Sequence, residues 1–560
     1  MLKKIIVFIF LFLAGLTIIF PFGKHTGRHT GITQSVSPAQ STKPMRILLM
    51  PLDSRPACTQ FVQQLAGLAQ ATIIMPPAEL MDSYTRPANR PALREWLSRN
   101  CPKADAAIVS TDMLIHGGLL ASRLPVGTEA DRQAAINTLA AIHQDNPRLP
   151  VYAFTIIPRL IIADNRSNGL YRDKMLRYSI LKDEIACFEN PLDIAEFSNL
   201  EKQLPSRLLN RYLTMYQQNT LTNLRLANML KNQLLAGLVV GQDDSQPFGI
   251  PNINREIIQH YLDQRPQLAN SLFITRGTDE VAVTLLGYSL MKNYRQRPRI
   301  KVIYSQPTAP QQIMPYMPCS VARCVEEKIA LIRGIQVENP AEADFILYVH
   351  IGTPTTNHRD LLTAAQEVQS LLQHGYKVAL VDLGETFQAS ETLLPYLLSV
   401  HADIARLIAY AGWNTASNSI GTALTQAAIF SLALKRSPDS AATLLLYKKN
   451  LEFLSNRILE DWYYQKNTEP RINKKLRELG IDPNHLDEHY EPVQAQIQSE
   501  MAANAQTLFQ TAFYQRPFPI QTTAGEKKVV ITSLTLKTEL PWPRTFELRL
   551  EPRLSLSECR

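Results

Sequence analysis

Met45-Arg46-Ile47-Leu48-Leu49-Met50-Pro51-Leu52-Asp53-Ser54-Arg55-Pro56 is a short apolar run that stops at a proline and delivers an acid and an arginine. The run has no alternation of polar and apolar residues, which is the pattern of a strand buried on both faces of a parallel sheet. Similar runs recur along the chain at Ala71–Met75, Ala106–Ser110, Val151–Ile157, Leu238–Gly241 and Leu272–Thr275. After a break at Gln296-Arg297-Pro298-Arg299 they continue at Lys301–Tyr304, Phe345–His350, Val378–Val381 and Leu407–Tyr410. Amphipathic segments separate them, so the fold class is α/β, two lobes of parallel βα units. A (β/α)8-like barrel is the alternative for the first lobe.

Between the fourth and fifth runs, residues 164–235 carry apolar positions at helical spacing, such as Leu208, Leu209, Tyr212, Leu213 and Tyr216, and predict a helical insertion. The first domain is therefore set at 45–297 and the second at 298–437. A helical region follows at 438–525, with Leu445–Gln465 and Pro492–Phe513 as its main helices. A small β segment closes the chain at 526–560, with strands near Val529–Leu536 and Thr545–Leu550 separated by Pro541 and Pro543.

The N-terminus carries the compartment signal. Met1-Leu2-Lys3-Lys4 precedes an unbroken apolar run from Ile5 to Phe20, the pattern of an export signal. Residues 1–22 read as a signal peptide or an anchor in the inner membrane, with 23–44 as a tether rich in Gly, Ser, Thr and Pro. The expected location is the periplasm or cell envelope. The net charge of +8 is spread along the chain without a block of basic residues, which excludes a nucleic-acid partner. Six cysteines would lie in an oxidising compartment. Cys319 and Cys324 read as a local disulfide or two buried thiols, since no second Cys/His pair stands at zinc-ligand spacing.

Ligands of parallel α/β folds gather beyond the carboxyl ends of the strands, and polar residues cluster there. Asp53 and Arg55 follow the first strand, Asp112 and His116 the third, Arg159 the fourth, Asp243 and Asp244 the fifth, and Asp279 and Glu280 the sixth. Each has an ordinary structural use: a helix cap for Asp279, charge pairing for the arginines, a hydrogen-bonding role for His116. Five such loops at one rim nevertheless point to a site, because clustered buried carboxylates need compensation. In the second lobe Tyr410, Trp413, Asn414 and Asn418 follow the last strand; an indole face beside amide donors and acceptors suits a sugar ring. No G-x-x-x-x-G-K or G-x-G-x-x-G occurs in this region.

The motifs Pro51 to Pro56, Asp112-Met113-Leu114 with Gly117-Gly118-Leu119 and Ser122-Arg123, Gly241 to Asp244 with Gly249, Gly277 to Val281, and Ala409 to Thr422 together resemble the uncharacterised bacterial DUF4127 family over roughly Met45 to Ser437. The resemblance implies no activity. Ser54 stands where that family usually has a second Asp and His116 where it usually has Tyr, which weighs against a metal in the first loop.

From the residues, the leading expectation is a hydrolase of a carbohydrate or glycoconjugate, with Asp243, Asp244, Asp279 and Glu280 as acid, base or nucleophile. Asp53, Arg55, Asp112, His116, Arg159, Tyr410, Trp413, Asn414 and Asn418 would bind the substrate. Such chemistry needs no cofactor. The alternatives are a two-lobed binding protein for a polar ligand, or a metal-dependent hydrolase with a divalent cation at Asp53, Asp112 and Asp243.

Overall fold

In the computed structural model, which describes residues 44–124, 126–161 and 169–559, each of the ten expected α/β strands is present. The first sheet comprises β1 (Arg46–Met50), β2 (Thr72–Ile74), β3 (Ala106–Ser110), β4 (Val151–Ile157), β5 (Gly237–Gln242) and β6 (Leu272–Arg276). Their order is β2-β1-β3-β4-β5-β6, all parallel. The sheet is open, with β2 and β6 at its edges, so the first lobe is not the barrel held as the alternative.

The second sheet comprises β7 (Arg299–Tyr304), β8 (Ile335–Gln336), β9 (Phe345–Gly352), β10 (Val378–Gly384) and β11 (Leu407–Ala411), in the parallel order β11-β10-β9-β7-β8. The short edge strand β8 is exposed at both residues and so has no apolar run to betray it. The final sheet is antiparallel: β12 (Phe518–Thr522), β13 (Gly525–Glu539) and β14 (Arg549–Glu558). The last strand starts later than expected because Thr545–Leu548 is a buried connection; the carbonyl of Thr545 accepts the Tyr464 hydroxyl.

Strands β3, β4 and β5 are buried throughout, because helices cover both faces. One face of the first sheet packs through the helix Val281–Asn293 onto the helix Ala416–Arg436 and the second sheet, making a single apolar core across both lobes. The far face of the second sheet shares its core with the C-terminal helices and the antiparallel sheet. The insertion folds as helices Arg172–Phe188, Pro191–Gln203 and Ser206–Lys231 around a small core of their own.

The export segment and tether read at 1–22 and 23–44 lie, but for Pro44, outside the described residues. Among the described residues no helix is long and apolar enough to cross a membrane. All six cysteines are free, Cys324 buried and Cys319 half-buried.

The seam between the lobes holds a buried ion pair. Glu280, just after β6, meets Lys328 on the helix Val321–Leu331, and both are fully enclosed. Lys328 Nζ also donates to the carbonyl of Arg276 at 2.7 Å, and Ser417 Oγ donates to Glu280 at 3.1 Å. Removing one member of such a pair leaves an uncompensated buried charge. Lys328→Met should therefore cost about 3–5 kcal/mol in urea unfolding at pH 7, and adding Glu280→Gln should restore most of it; a Lys328→Met protein as stable as wild type would show the pair to be dispensable.

Candidate functional site

The loops beyond the carboxyl ends of the first sheet, the loops of the second sheet and the C-terminal region together wall a cavity of about 520 Å³. Arg55, Arg159, Asp243, Asp244 and Asp279 line it from the first lobe, and Asn414 and Asn418 from the second. The sequence rule thus located seven of its site residues in one cavity.

Arg55 is buried and divided between two carboxylates. Its Nε and Nη2 donate to Asp53 Oδ2 at 2.9 and 2.7 Å, and Nη2 donates to Asp279 Oδ1 at 2.6 Å. The loop after β1 is thereby tied to the loop after β6. Arg123 holds Asp243 with two bonds, Nε to Oδ2 at 2.9 Å and Nη2 to Oδ1 at 3.0 Å. That fork geometry is the strongest form of the pair. Asp244, half-buried, faces the same cavity with no side-chain partner among the described residues.

These environments raise three of the acids. Burial first, and then the neighbouring Asp243, push the Asp244 carboxyl up to about 7. Burial raises Asp279 to about 6 against the opposing pull of Arg55. On the C-terminal side, burial lifts Glu469 to about 7 although Asn473 Nδ2 donates to it at 2.7 Å.

Other expected site residues lie elsewhere. Glu280 is committed to Lys328 at the seam rather than to the cavity. Asp112 accepts the Ile156 N–H at 3.0 Å and borders a separate small pocket with His116. Burial raises Asp112 to about 7. His116 accepts the Gly127 N–H on Nδ1 at 3.1 Å, and burial lowers its pKa to about 4, so it is a neutral structural imidazole. Tyr410 is buried with its hydroxyl donating to Asp382 at 3.0 Å. Trp413 is packed into the shared core against Phe546, its indole face covered rather than offered to a sugar; the left-handed backbone of Asn414, φ 57°, turns the chain after it.

Asp53, Asp112 and Asp243 do not converge, since each is claimed by a different donor: Arg55, a backbone N–H and Arg123. Asp53, Cys58 and Asp279 do approach one another within 4.8 Å. Arg55 already supplies the positive charge between those two carboxylates, and this does not fit a metal-ligand set.

The loop rule missed Arg123, Lys466, Glu469 and Arg544, all of which line the cavity. Lys466 and Glu469 come from a helix that widens to π geometry over Leu459–Thr468, a rare form often found at functional sites. Arg544 is fixed by Glu547 and by the rings of Trp542 and Tyr84, 4.8 and 5.1 Å from their centroids.

Asp244 titrates above its unfolded value, so folding favours its protonated form. That contribution is complete below about pH 4 and is lost as pH rises through about 7. The thermal midpoint of Asp244→Asn should accordingly exceed that of wild type at pH 8 and converge with it near pH 4; equal midpoints at both pH values would contradict the raised pKa.

No curated protein matches the sequence. The family model described as Protein of unknown function (DUF4127) matches residues 47–551, and the chain belongs to that family.

Proposed function

We propose that this protein is an exported hydrolase of a carbohydrate or glycoconjugate, using Asp244 as general acid and Asp279 as base or nucleophile. The supporting observation is two carboxyls at one cavity in different settings: Asp244 without a side-chain partner among the described residues and raised by burial, Asp279 held by Arg55. Glycoside cleavage needs such a pair, one protonated at the leaving oxygen and one ionised at the opposite side. Asp244 gives its proton to the glycosidic oxygen as the C–O bond breaks. Asp279 activates water or attacks the anomeric carbon. Asp243, chelated by Arg123, raises the proton affinity of Asp244 and positions the loop.

A two-lobed binding protein is the second reading, favoured by a cavity walled from both lobes. Turnover separates the two. On a panel of aryl glycosides and cell-envelope glycan fragments, Asp244→Asn should reduce kcat by about two orders of magnitude or more while remaining folded. The basic limb of the wild-type rate profile should fall through about pH 7, where Asp244 loses its proton. Full turnover in both Asp244→Asn and Asp279→Asn would end the assignment.

The basic start and apolar run of residues 3–20 support an extracytoplasmic location. A phosphatase reporter joined after residue 44 should be active, and the corresponding cytoplasm-dependent fluorescent fusion dark; the reverse pattern would place the protein in the cytoplasm.

A further inference from the structure

The cavity is lined by six basic side chains, Arg55, Arg123, Arg159, Arg172, Lys466 and Arg544, against the four acids Asp243, Asp244, Asp279 and Glu469. Most of the cations are engaged. Arg55 serves Asp53 and Asp279, Arg123 serves Asp243, and Arg544 serves Glu547. Arg159 is different: among the described residues it forms no ion pair, and its buried Nε has no hydrogen-bond partner. Burial, and then Arg123 beside it, lower its pKa to about 10, against the weaker pull of Asp243 and Asp244. Lys466 likewise makes no ion pair among the described residues, and burial lowers its pKa.

Buried donors are nearly always satisfied, and the Nε of half-buried Arg159 is not, since Asp243 and Asp244 act on its charge without bonding to it. An acceptor from outside the protein accounts for this. A neutral sugar would offer the guanidinium no direct ion pair, whereas an anionic group supplies two oxygens in the spacing a guanidinium reads. We propose that the cavity takes a saccharide bearing an acidic group, carboxylate or phosphate, whose oxygens pair with Arg159 while Lys466 adds long-range attraction from the C-terminal helices. The saccharide part rests on the hydrolase reading above; the acidic part rests on Arg159.

Calorimetric titration of the full chain carrying Asp244→Asn, which blocks turnover, tests the idea. The probes are matched α- and β-linked glucose disaccharides: the neutral parent, its C6 uronic acid and its C6 phosphate. The uronic acid or the phosphate should bind at least about tenfold more tightly than the parent, and their ratio tells which anion is preferred. Arg159→Met should bring the acidic forms to the affinity of the parent, and Arg159→Lys should retain part of the preference. Because Arg159→Met removes a largely desolvated cation with no bonded partner among the described residues, its thermal midpoint should be unchanged or higher. Equal binding of all three sugars, binding of none, persistence of the preference in Arg159→Met, or a marked fall in its midpoint would each overturn the proposal. Turnover by the wild-type chain decides the hydrolase reading separately.

Discussion

The Glu280–Lys328 pair fixes the geometry on which the cavity depends. Glu280 leaves the loop after β6, Lys328 projects from the second lobe, and Ser417 at the start of the helix Ala416–Arg436 closes the cluster. The carboxylate reaches that position only because two glycines make room. A Cβ on Gly277 would stand 2.6 Å from Glu280 Oε1, and one on Gly421 would stand 2.5 Å from its Cγ. Gly277 also needs its left-handed φ of 81°. With Glu280 drawn into the seam, Asp279 is left facing Arg55 and the cavity. Adjacent acids thus take different places, one locked in the seam and one lining the cavity.

The same logic of local compensation governs the remaining charges. Arg55 neutralises two loops at once, Arg123 clamps Asp243, and Arg457 lies fully buried between Glu460 and Asp461. Pairs of this kind add little net stability over apolar packing, but they hold loops in register. Against that background Asp244 and Arg159 stand out, because neither side chain has a hydrogen-bonded or ion-pair partner among the described residues. A titratable group and an unpaired donor left at the same cavity are the features expected of a surface completed by its ligand.

Much of the fold was legible because doubly buried strands leave a plain apolar signature. The strand-end rule placed Arg55, Arg159, Asp243, Asp244 and Asp279 together, and they do line one cavity, since the βα connection forces those residues to one rim. It could not tell direction. Asp112, His116 and Trp413 follow strands equally well, and Tyr410 sits near the end of β11, yet each turns into the protein to meet a backbone donor, an acid or the core. Position along a strand end is local, whereas orientation is decided by partners distant in sequence. Glu280 shows this most sharply, its partner lying 48 residues away.

Residues distant in the chain also explain why the C-terminal region belongs to the site. The carboxylate of Asp461 accepts the N–H of Gly412 at 2.8 Å, holding the loop that carries Asn414 and leads into the helix bearing Asn418. Gly412 is constrained in turn, because a Cβ there would stand 2.7 Å from the carbonyl of Asp382. Asp461 lies within the π-widened turns, whose i→i+5 register shifts the following side chains relative to an α-helix. Those turns bring Gln465 and Lys466 to the cavity, with Glu469 just beyond them. A helix that looks like mere support in the sequence therefore sets the second-lobe loop from below and supplies part of the cavity wall, so the cavity cannot keep its shape if the two α/β lobes are separated from it.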